Sequence, residues 1–431
     1  MKTVVWHELS ESEKEQVLTR PALTSKLDIH GIVTDIVTRI KAEKDKALLE
    51  FTAKLDHVED GRLKLTEQDI ADACSRVPEA LKEALQHAYR NISAFHKAQI
   101  PGSVKVTTEP GVTCEMHYHA IDNIGLYVPG GSAPLVSTVL MLGVPAQIAG
   151  CRKVILCSPP KIADEIVYAA TLCGIKDIFN IGGAQAIAAM AYGTETVPKV
   201  DKVFGPGNAF VTEAKRQVST DYKGASIDMP AGPSEVMVMA DNTSDPEFVA
   251  SDLLSQAEHG PDSQVMLITE SRELADAVNK EVDRQVAELP RRKIAESSLS
   301  HSRVIIAGTP DEACAIACRY APEHLIMQMR DARAYLPKIR NCGSIFIGYY
   351  TPESAGDYAS GTNHTLPTYG YAKTYSSLGL TDFMRHYTVQ ELSKDGVEAL
   401  KDTIVQMTNA EGLMAHQRAI LTRARKIEQG N

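Results

Sequence analysis

Residues 154–193 read VILCSPPKIADEIVYAATLCGIKDIFNIGGAQAIAAMAYG. A short apolar run, VILC, stops at Ser158, Pro159 and Pro160, and the helical pattern IADEIVYAATLCG follows. The order then repeats: DIFNI, a break at Gly182 and Gly183, and the helical pattern AQAIAAMAYG. Short apolar strands alternating with helices predict a parallel sheet joined by right-handed crossovers. Moving outward, KVF leads into Gly205, Pro206, Gly207 and the helix AFVTEAKRQVS, and SIDMPA ends at Gly232, Pro233 and Ser234. These Gly/Pro turns are expected at the carboxyl ends of strands, the edge where open α/β sheets bind ligands.

Downstream lies a second series of the same build. EVMVMA, QVMLIT, RVIIAG, LIMQM and GSIFIGYY read as strands, with DPEFVASDLLSQAEHG, RELADAVNKEVDRQVAEL, PDEACAIACRYAPEH and DARAYLPKIRN as helices between them. The predicted fold class is α/β, with two doubly wound, Rossmann-like parallel-sheet domains and small helical N- and C-terminal segments. The first quarter is predicted helical: apolar residues across 32–55 follow the helical period, Thr66 is placed to cap a helix, and Pro78 suits a first turn. The final stretch, beginning VQELSKDG, is predicted helical and polar-faced, too thin to fold alone, so it must pack on another part of the molecule.

At 431 residues the chain exceeds what one hydrophobic core serves, so two or more domains are expected. Forty-five Lys and Arg against 55 Asp and Glu leave a net charge of -10, which argues against a polyanionic partner such as nucleic acid. The opening MKTVVWHELSESEKEQ has no apolar h-region. The longest apolar run, PLVSTVLMLGVPAQIAG, is interrupted by Pro145 and Gln147 and falls short of a membrane span, so a cytoplasmic location is expected. The eight cysteines include no C-x-x-C pair and read as reduced, packed thiols, Cys314 and Cys318 sharing a helix face.

Three places carry groups suited to chemistry. In SQAEHGP, Gln256 and His259 are three apart and would share a helix face, a spacing open to metal ligation or to a solvated pair at a helix end. Asp357 and His364 fall in a Gly/Ser-rich loop, and the tail adds Glu411 and His416. In YAPEHL, Glu323 and His324 are adjacent at a helix-to-strand transition, where a histidine could serve as general base. The bland alternative is an exposed charged pair. In PAGPSE, Ser234 sits in a tight turn that is not G-x-S-x-G, so it would offer a hydroxyl to a ligand and not a nucleophile. YVPGGSAP, NIGGAQA and FGPGNAF are Gly-rich, yet none has the dinucleotide fingerprint.

Taken together, LYVPGGSAPL, IFNIGGAQAIAAMAYGTE, KVFGPGNAFVTEAKR, DMPAGPSEV, DLLSQAEHGPDSQ, YAPEHLI, SAGDYASGTNHTLPTYG and AEGLMAH resemble the histidinol dehydrogenase family. The likeness runs from near the N-terminus to the last helix. It implies oxidation of L-histidinol to L-histidine by way of L-histidinal, with two NAD⁺, as the last step of histidine biosynthesis. It also implies one zinc ion per subunit on Gln256, His259, Asp357 and His416, and an intertwined homodimer in which the tail's His416 and Glu411 serve the other subunit. His324 would be the base, Glu323 would activate water, and Ser234, His324 and Glu411 would contact substrate together with the zinc ligands. Tyr127, Gln185 and Asn208 would contact NAD. The implied division is an N-terminal segment (1–23), a larger α/β domain (24–126 and 236–374), an inserted NAD domain (127–235) and a dimerisation tail (375–431). A related branch oxidises sulfonated diols, while PAGPSE, SQAEHGPDSQ and AEGLMAH favour histidinol. A zinc hydrolase and a non-enzymatic metal-binding scaffold are the rival classes.

Overall fold

The chain opens with strand β1 (Lys2–Val5) and the helix Glu11–Leu18, and four further helices run from Ile29–Glu43 to Glu79–Lys97. A hairpin follows, β2 (Val104–Glu109) and β3 (Val112–Ala120). Strands β4 (Asn123–Tyr127), β5 (Lys153–Ser158), β6 (Asp177–Asn180), β7 (Lys202–Phe204) and β8 (Ser226–Ile227) then alternate with helices. The second series is β9 (Glu235–Ala240), β10 (Gln264–Thr269), β11 (Arg303–Ile306), β12 (His324–Gln328) and β13 (Ser344–Ile347). β14 (Met384–Leu392) precedes the last two helices, Lys394–Glu411 and Met414–Glu428. This computed structural model describes residues 1–21, 28–58, 61–130, 134–230 and 232–430. Gly131, Ser132 and Ala133 of YVPGGSAP and Ala231 of PAGPSE lie outside the described residues.

Both series form parallel sheets with one and the same winding. The first has the order β6-β5-β4-β7-β8, the second β11-β10-β9-β12-β13 with β1 added beside β11. Counting strands within each series, both orders are 3-2-1-4-5, the doubly wound pattern expected of two similar units. The α/β class predicted from the sequence is therefore the fold observed. EVMVMA and QVMLIT are buried at every position, because helices cover both faces of such a sheet and leave no polar side to alternate with. Along β9, Val236 and Val238 enter one core while Met237 and Met239 enter the core on the opposite face.

The N-terminal helices pack on the first sheet. Ile36, Ile40, Leu48 and Phe51 join Phe179 and Ile187 on one face, and Ile92 joins Leu126, Leu140 and Phe204 on the other. The helix predicted across 32–55 is two helices, Ile29–Glu43 and Asp45–Asp56, parted at Lys44 with φ 56°. That strained residue is held by its own ammonium, which donates to the carbonyls of Tyr192 (3.1 Å) and Gly193 (2.9 Å) at the end of another helix. Thr66 caps its helix as expected, in a reciprocal box with Asp69, and Pro78 is the residue immediately before helix Glu79–Lys97.

Three features depart from the sequence expectation. β1 extends the six-stranded sheet, pairing in register with β11, so the N-terminus is not purely helical. The segment VQEL, expected to open the helical final stretch, is the end of a strand: β14 pairs antiparallel with β3, and β3 with β2, in a small third sheet. Asp357 lies on a short helix, Glu353–Tyr358, where a loop was expected. The long apolar run is a buried helix, Val136–Ala149, and no helix among the described residues is long and apolar enough to cross a membrane.

Candidate active site

Strand β12 begins at His324, beside β9 in the six-stranded sheet, where the strand order reverses. Ser234 precedes β9, Gln256 lies in the last turn of the helix Pro246–Ala257, and His259 follows two residues beyond it on the way to β10. All these groups lie at the amino edge of their sheet. Facing them are Gly205 and Asp228, which follow β7 and β8 at the carboxyl edge of the five-stranded sheet. Between the two edges is a cavity of about 140 Å³ lined by Ser234, Gln256, His259, Glu323, His324 and Asp357, with His364 beside them. The four Gly/Pro turns do follow the carboxyl ends of β5, β6, β7 and β8, as expected, while the six-stranded sheet presents its polar groups from the opposite edge.

The Glu323–His324 pair is buried, 6% and 4% exposed, which removes the alternative of a solvated pair. Helix Pro310–Tyr320 stops at Ala321, which takes the left-handed conformation (φ 57°), and the chain turns into β12. Neighbouring residues can then act together because this bend, not regular strand, carries Glu323. A carboxylate oxygen of Glu323 accepts from the Glu235 N–H at 2.8 Å and lies 3.6 Å from His324 Nδ1. His324 Nδ1 is 3.1 Å from the Glu235 carbonyl oxygen. His324 Nε2 faces the cavity 3.4 Å from Asp357 Oδ1, with no hydrogen-bond partner among the described residues.

Gln256 and His259 remain close although the helix ends between them, because the His259 N–H closes a tight turn on the Gln256 carbonyl at 3.2 Å. Asp357 faces them from its short helix, one turn after Glu353. One ligand atom each of His259, Glu353 and Asp357 lies within 4.8 Å of the others, an arrangement that fits a metal ion. Glu353, which the sequence reading passed over, is 1% exposed, and its Oε2 has no hydrogen-bond partner among the described residues. A buried carboxylate oxygen without a donor is costly unless a cation accompanies it, so these residues fit a divalent ion. His364 turns its Nδ1 to the Asp357 carbonyl at 2.9 Å and its Nε2 to Thr138 at 3.1 Å, which steadies the helix from behind.

Charge crowding sets the protonation tendencies. Burial opposes a charge on His324, but the carboxylates of Glu353, Glu323 and Asp357 outweigh it and raise the pKa well above the usual histidine value. Burial raises Glu323 and Glu353. Asp357 is lowered: burial works against its charge, and His324 more than compensates. His259 is lowered by desolvation in its surroundings, although the residue still reaches the surface.

A sequence model of the histidinol dehydrogenase family matches residues 18–424. A histidinol dehydrogenase of Photobacterium profundum is 58% identical over 429 residues, covering 100% of this chain and 97% of that protein. One from Vibrio cholerae is also 58% identical, covering 100% of both. This chain belongs to the histidinol dehydrogenase family. A solved histidinol dehydrogenase from Elizabethkingia anophelis superposes with a TM-score of 0.96 at 45% identity, covering 99% of each chain.

Within this histidinol dehydrogenase fold the remaining sequence candidates lie apart from the cavity. Tyr127, Gln185 and Asn208 stand at the carboxyl edge of the five-stranded sheet. The Tyr127 hydroxyl accepts from the Gly183 N–H at 3.0 Å, and Asn208 caps its helix through the N–H groups of Phe210 and Val211. Gln185 donates to Asp56 at 2.9 Å, and the same Asp56 oxygen accepts from the Gly182 N–H. Asp56 also lines an open cavity of about 760 Å³ with Lys64, Arg76, Pro160 and Asn180. Glu411 and His416 are exposed on the two tail helices and do not line the cavity that holds His324.

Sequence reading also missed the ion pair behind the site. Arg20 Nε meets Glu235 Oε1 at 2.5 Å and a second guanidinium nitrogen meets Oε2 at 3.0 Å. The main chain of Glu235 is what holds both Glu323 and His324. Glu235 was visible as the last residue of PAGPSE, but nothing local pairs it with a residue 215 positions away.

Proposed function

We propose that this protein oxidises L-histidinol to L-histidine through L-histidinal with two NAD⁺, the last step of histidine biosynthesis, in the cytoplasm. One observation carries the proposal: Ser234, Gln256, His259, Glu323, His324 and Asp357, spread over more than a hundred positions, line a single cavity in a chain of this family. Gln256, His259 and Asp357 are the zinc ligands contributed by one subunit, and His416 of a second copy completes the set. Supporting that exchange, the chain's own His416 and Glu411 sit exposed on the tail, away from the cavity. Held by these residues, zinc would supply a Lewis-acidic anchor for the amino alcohol, and NAD⁺ would serve as the hydride acceptor.

The chain's own groups move the protons. A divalent ion among the carboxylates would offset the charge that otherwise keeps His324 protonated, and with Nδ1–H committed to the Glu235 carbonyl the neutral ring has Nε2 left to take the alcohol proton as the first hydride leaves. The aldehyde then needs water before a second hydride can depart. Glu323, lining the same cavity, accepts one proton of that water as the water oxygen bonds to the aldehyde carbon, while the carbonyl π bond opens onto its oxygen, which takes up the proton held by His324. Ser234 and the partner copy's tail carboxylate hold the substrate. Tyr127, Gln185 and Asn208 line the cofactor's approach along the carboxyl edge. Retaining the aldehyde in this cavity between the two oxidations would limit its loss to solvent.

The test is NADH formation on adding L-histidinol to purified protein, before and after a chelator and again after zinc is returned. Activity should vanish with the metal and return with zinc. Full activity in metal-free protein, or none in zinc-loaded protein, would overturn the proposal.

A further inference from the structure

Beside the cavity, Glu353 is a buried carboxylate to which the chemistry above gives no task. It opens the short helix Glu353–Tyr358, so it and Asp357 are four residues apart and share a face. Its Oε1 lies against one end of the Gln256 carboxamide and accepts a hydrogen bond when the amide nitrogen is turned to it. Only one orientation of that amide suits its surroundings. With its nitrogen toward Glu353, its oxygen accepts from the Glu235 N–H at 3.1 Å. Turned over, an oxygen would face a carboxylate oxygen, and an NH₂ would face an N–H.

This matters because an amide is a ligand only through its oxygen. An NH₂ group has no lone pair to give, and a free glutamine side chain interconverts the two ends at little cost. We propose that Glu353 is a positioning residue: by gripping the amide nitrogen of Gln256 it fixes the orientation of the amide and keeps its oxygen available as a ligand. The assignment rests on the zinc reading above. The Glu235 N–H occupies one lone pair of that oxygen and leaves the second for the ion. The same N–H also serves Glu323 at 2.8 Å, so the metal side and the catalytic pair share one backbone group. Glu353 Oε2 has no partner among the described residues, and one carboxylate oxygen of Glu353 lies within 4.8 Å of ligand atoms of His259 and Asp357, near enough to carry charge beside a bound ion.

The test is zinc affinity, read by competition with a chromophoric chelator on full-length protein, with circular dichroism confirming the fold. Glu353→Ala should weaken zinc binding ~10–100-fold, the range for loss of a residue that orients a metal ligand. Gln256→Glu should weaken it as well, by setting two carboxylates against each other. The deciding variant is the exchange of the two, Gln256→Glu with Glu353→Gln. There the new amide donates to the new carboxylate, whose other oxygen faces the ion, and most of the lost affinity should return. Wild-type affinity in Glu353→Ala, or an exchange no better than Gln256→Glu alone, overturns the assignment. His259→Ala separates this from the underlying reading. If it loses zinc while Glu353→Ala does not, only the positioning role fails; if wild-type protein itself binds no zinc, both fall.

Discussion

His324 Nδ1 lies 3.1 Å from the backbone carbonyl oxygen of Glu235 on the adjacent strand β9. A carbonyl only accepts, so Nδ1 carries the proton, and neutral His324 keeps its lone pair on Nε2, the nitrogen that faces the cavity. Strand pairing therefore chooses the tautomer. His324→Ala should lower kcat at least ~10²-fold while zinc content stays normal. Turnover at the wild-type rate would remove the residue as base.

Glu323→Gln should separate the two oxidations. The amide still accepts from the Glu235 N–H, so the fold is kept, but it takes no proton from water. Supplying L-histidinal directly should show a larger rate loss than the L-histidinol step measured in single turnover. Equal losses in both would refute the division of labour.

Arg20 and Glu235 form a buried pair further tied by the Tyr369 N–H, which donates to Glu235 at 2.8 Å, and by Arg20 donating to the Tyr320 carbonyl at 2.8 Å. Arg20→Met strands a carboxylate that is 1% exposed, so a loss of about 3–5 kcal/mol is expected in denaturant unfolding. Adding Glu235→Gln should recover part of it. A single variant as stable as wild type would show that the pair does not brace the site.

Gly205 has φ 118°, and a Cβ there would fall 2.0 Å from the Tyr127 carbonyl oxygen. Asp228 accepts from its N–H at 2.8 Å and Lys215 donates to its carbonyl at 2.8 Å, so the loop has no freedom to relax. Gly205→Ala should destabilise by about 1–3 kcal/mol from backbone strain alone. A midpoint of thermal unfolding equal to wild type would contradict this.

Burial raises the Asp252 carboxyl to about 7, with Gln328 donating to it and partly offsetting that rise. A carboxyl whose folded pKa is raised stabilises the fold below its unfolded pKa, and that contribution is lost as pH rises through the folded value. The window is therefore from about pH 4 to about pH 7. Asp252→Asn keeps an acceptor for Gln328 and removes the titration. From pH 5 to pH 8 the wild type should lose on the order of 1–4 kcal/mol relative to this variant in urea unfolding. Parallel pH profiles would show that Asp252 ionises freely in the folded state.

Much of this molecule was legible in one dimension. Both strand-helix series could be read, because a strand buried on two faces is a short apolar run and Gly/Pro turns punctuate it. Thr66 announced its helix for an equally local reason: the box it forms with Asp69 spans three residues. The long motifs around Gln256, His259, Glu323 and His324 carried the family likeness without any coordinates.

Other features depend on partners far along the chain. β2, β3 and β14 are polar strands whose pattern is weak alone; pairing Tyr118 with His386 and Cys114 with Gln390 is what makes them a sheet. Glu353 stood in plain view four residues before Asp357, yet its meaning required Gln256 to arrive from another helix. Arg20 and Glu235 say nothing to each other until β9 is laid beside β12. Local pattern determined which elements form, because propensity and burial act over a few residues. Which carboxylate meets which amide, and which nitrogen of His324 is free, was decided only by tertiary packing, because hydrogen bonds and buried charges depend on distances that chain order does not contain.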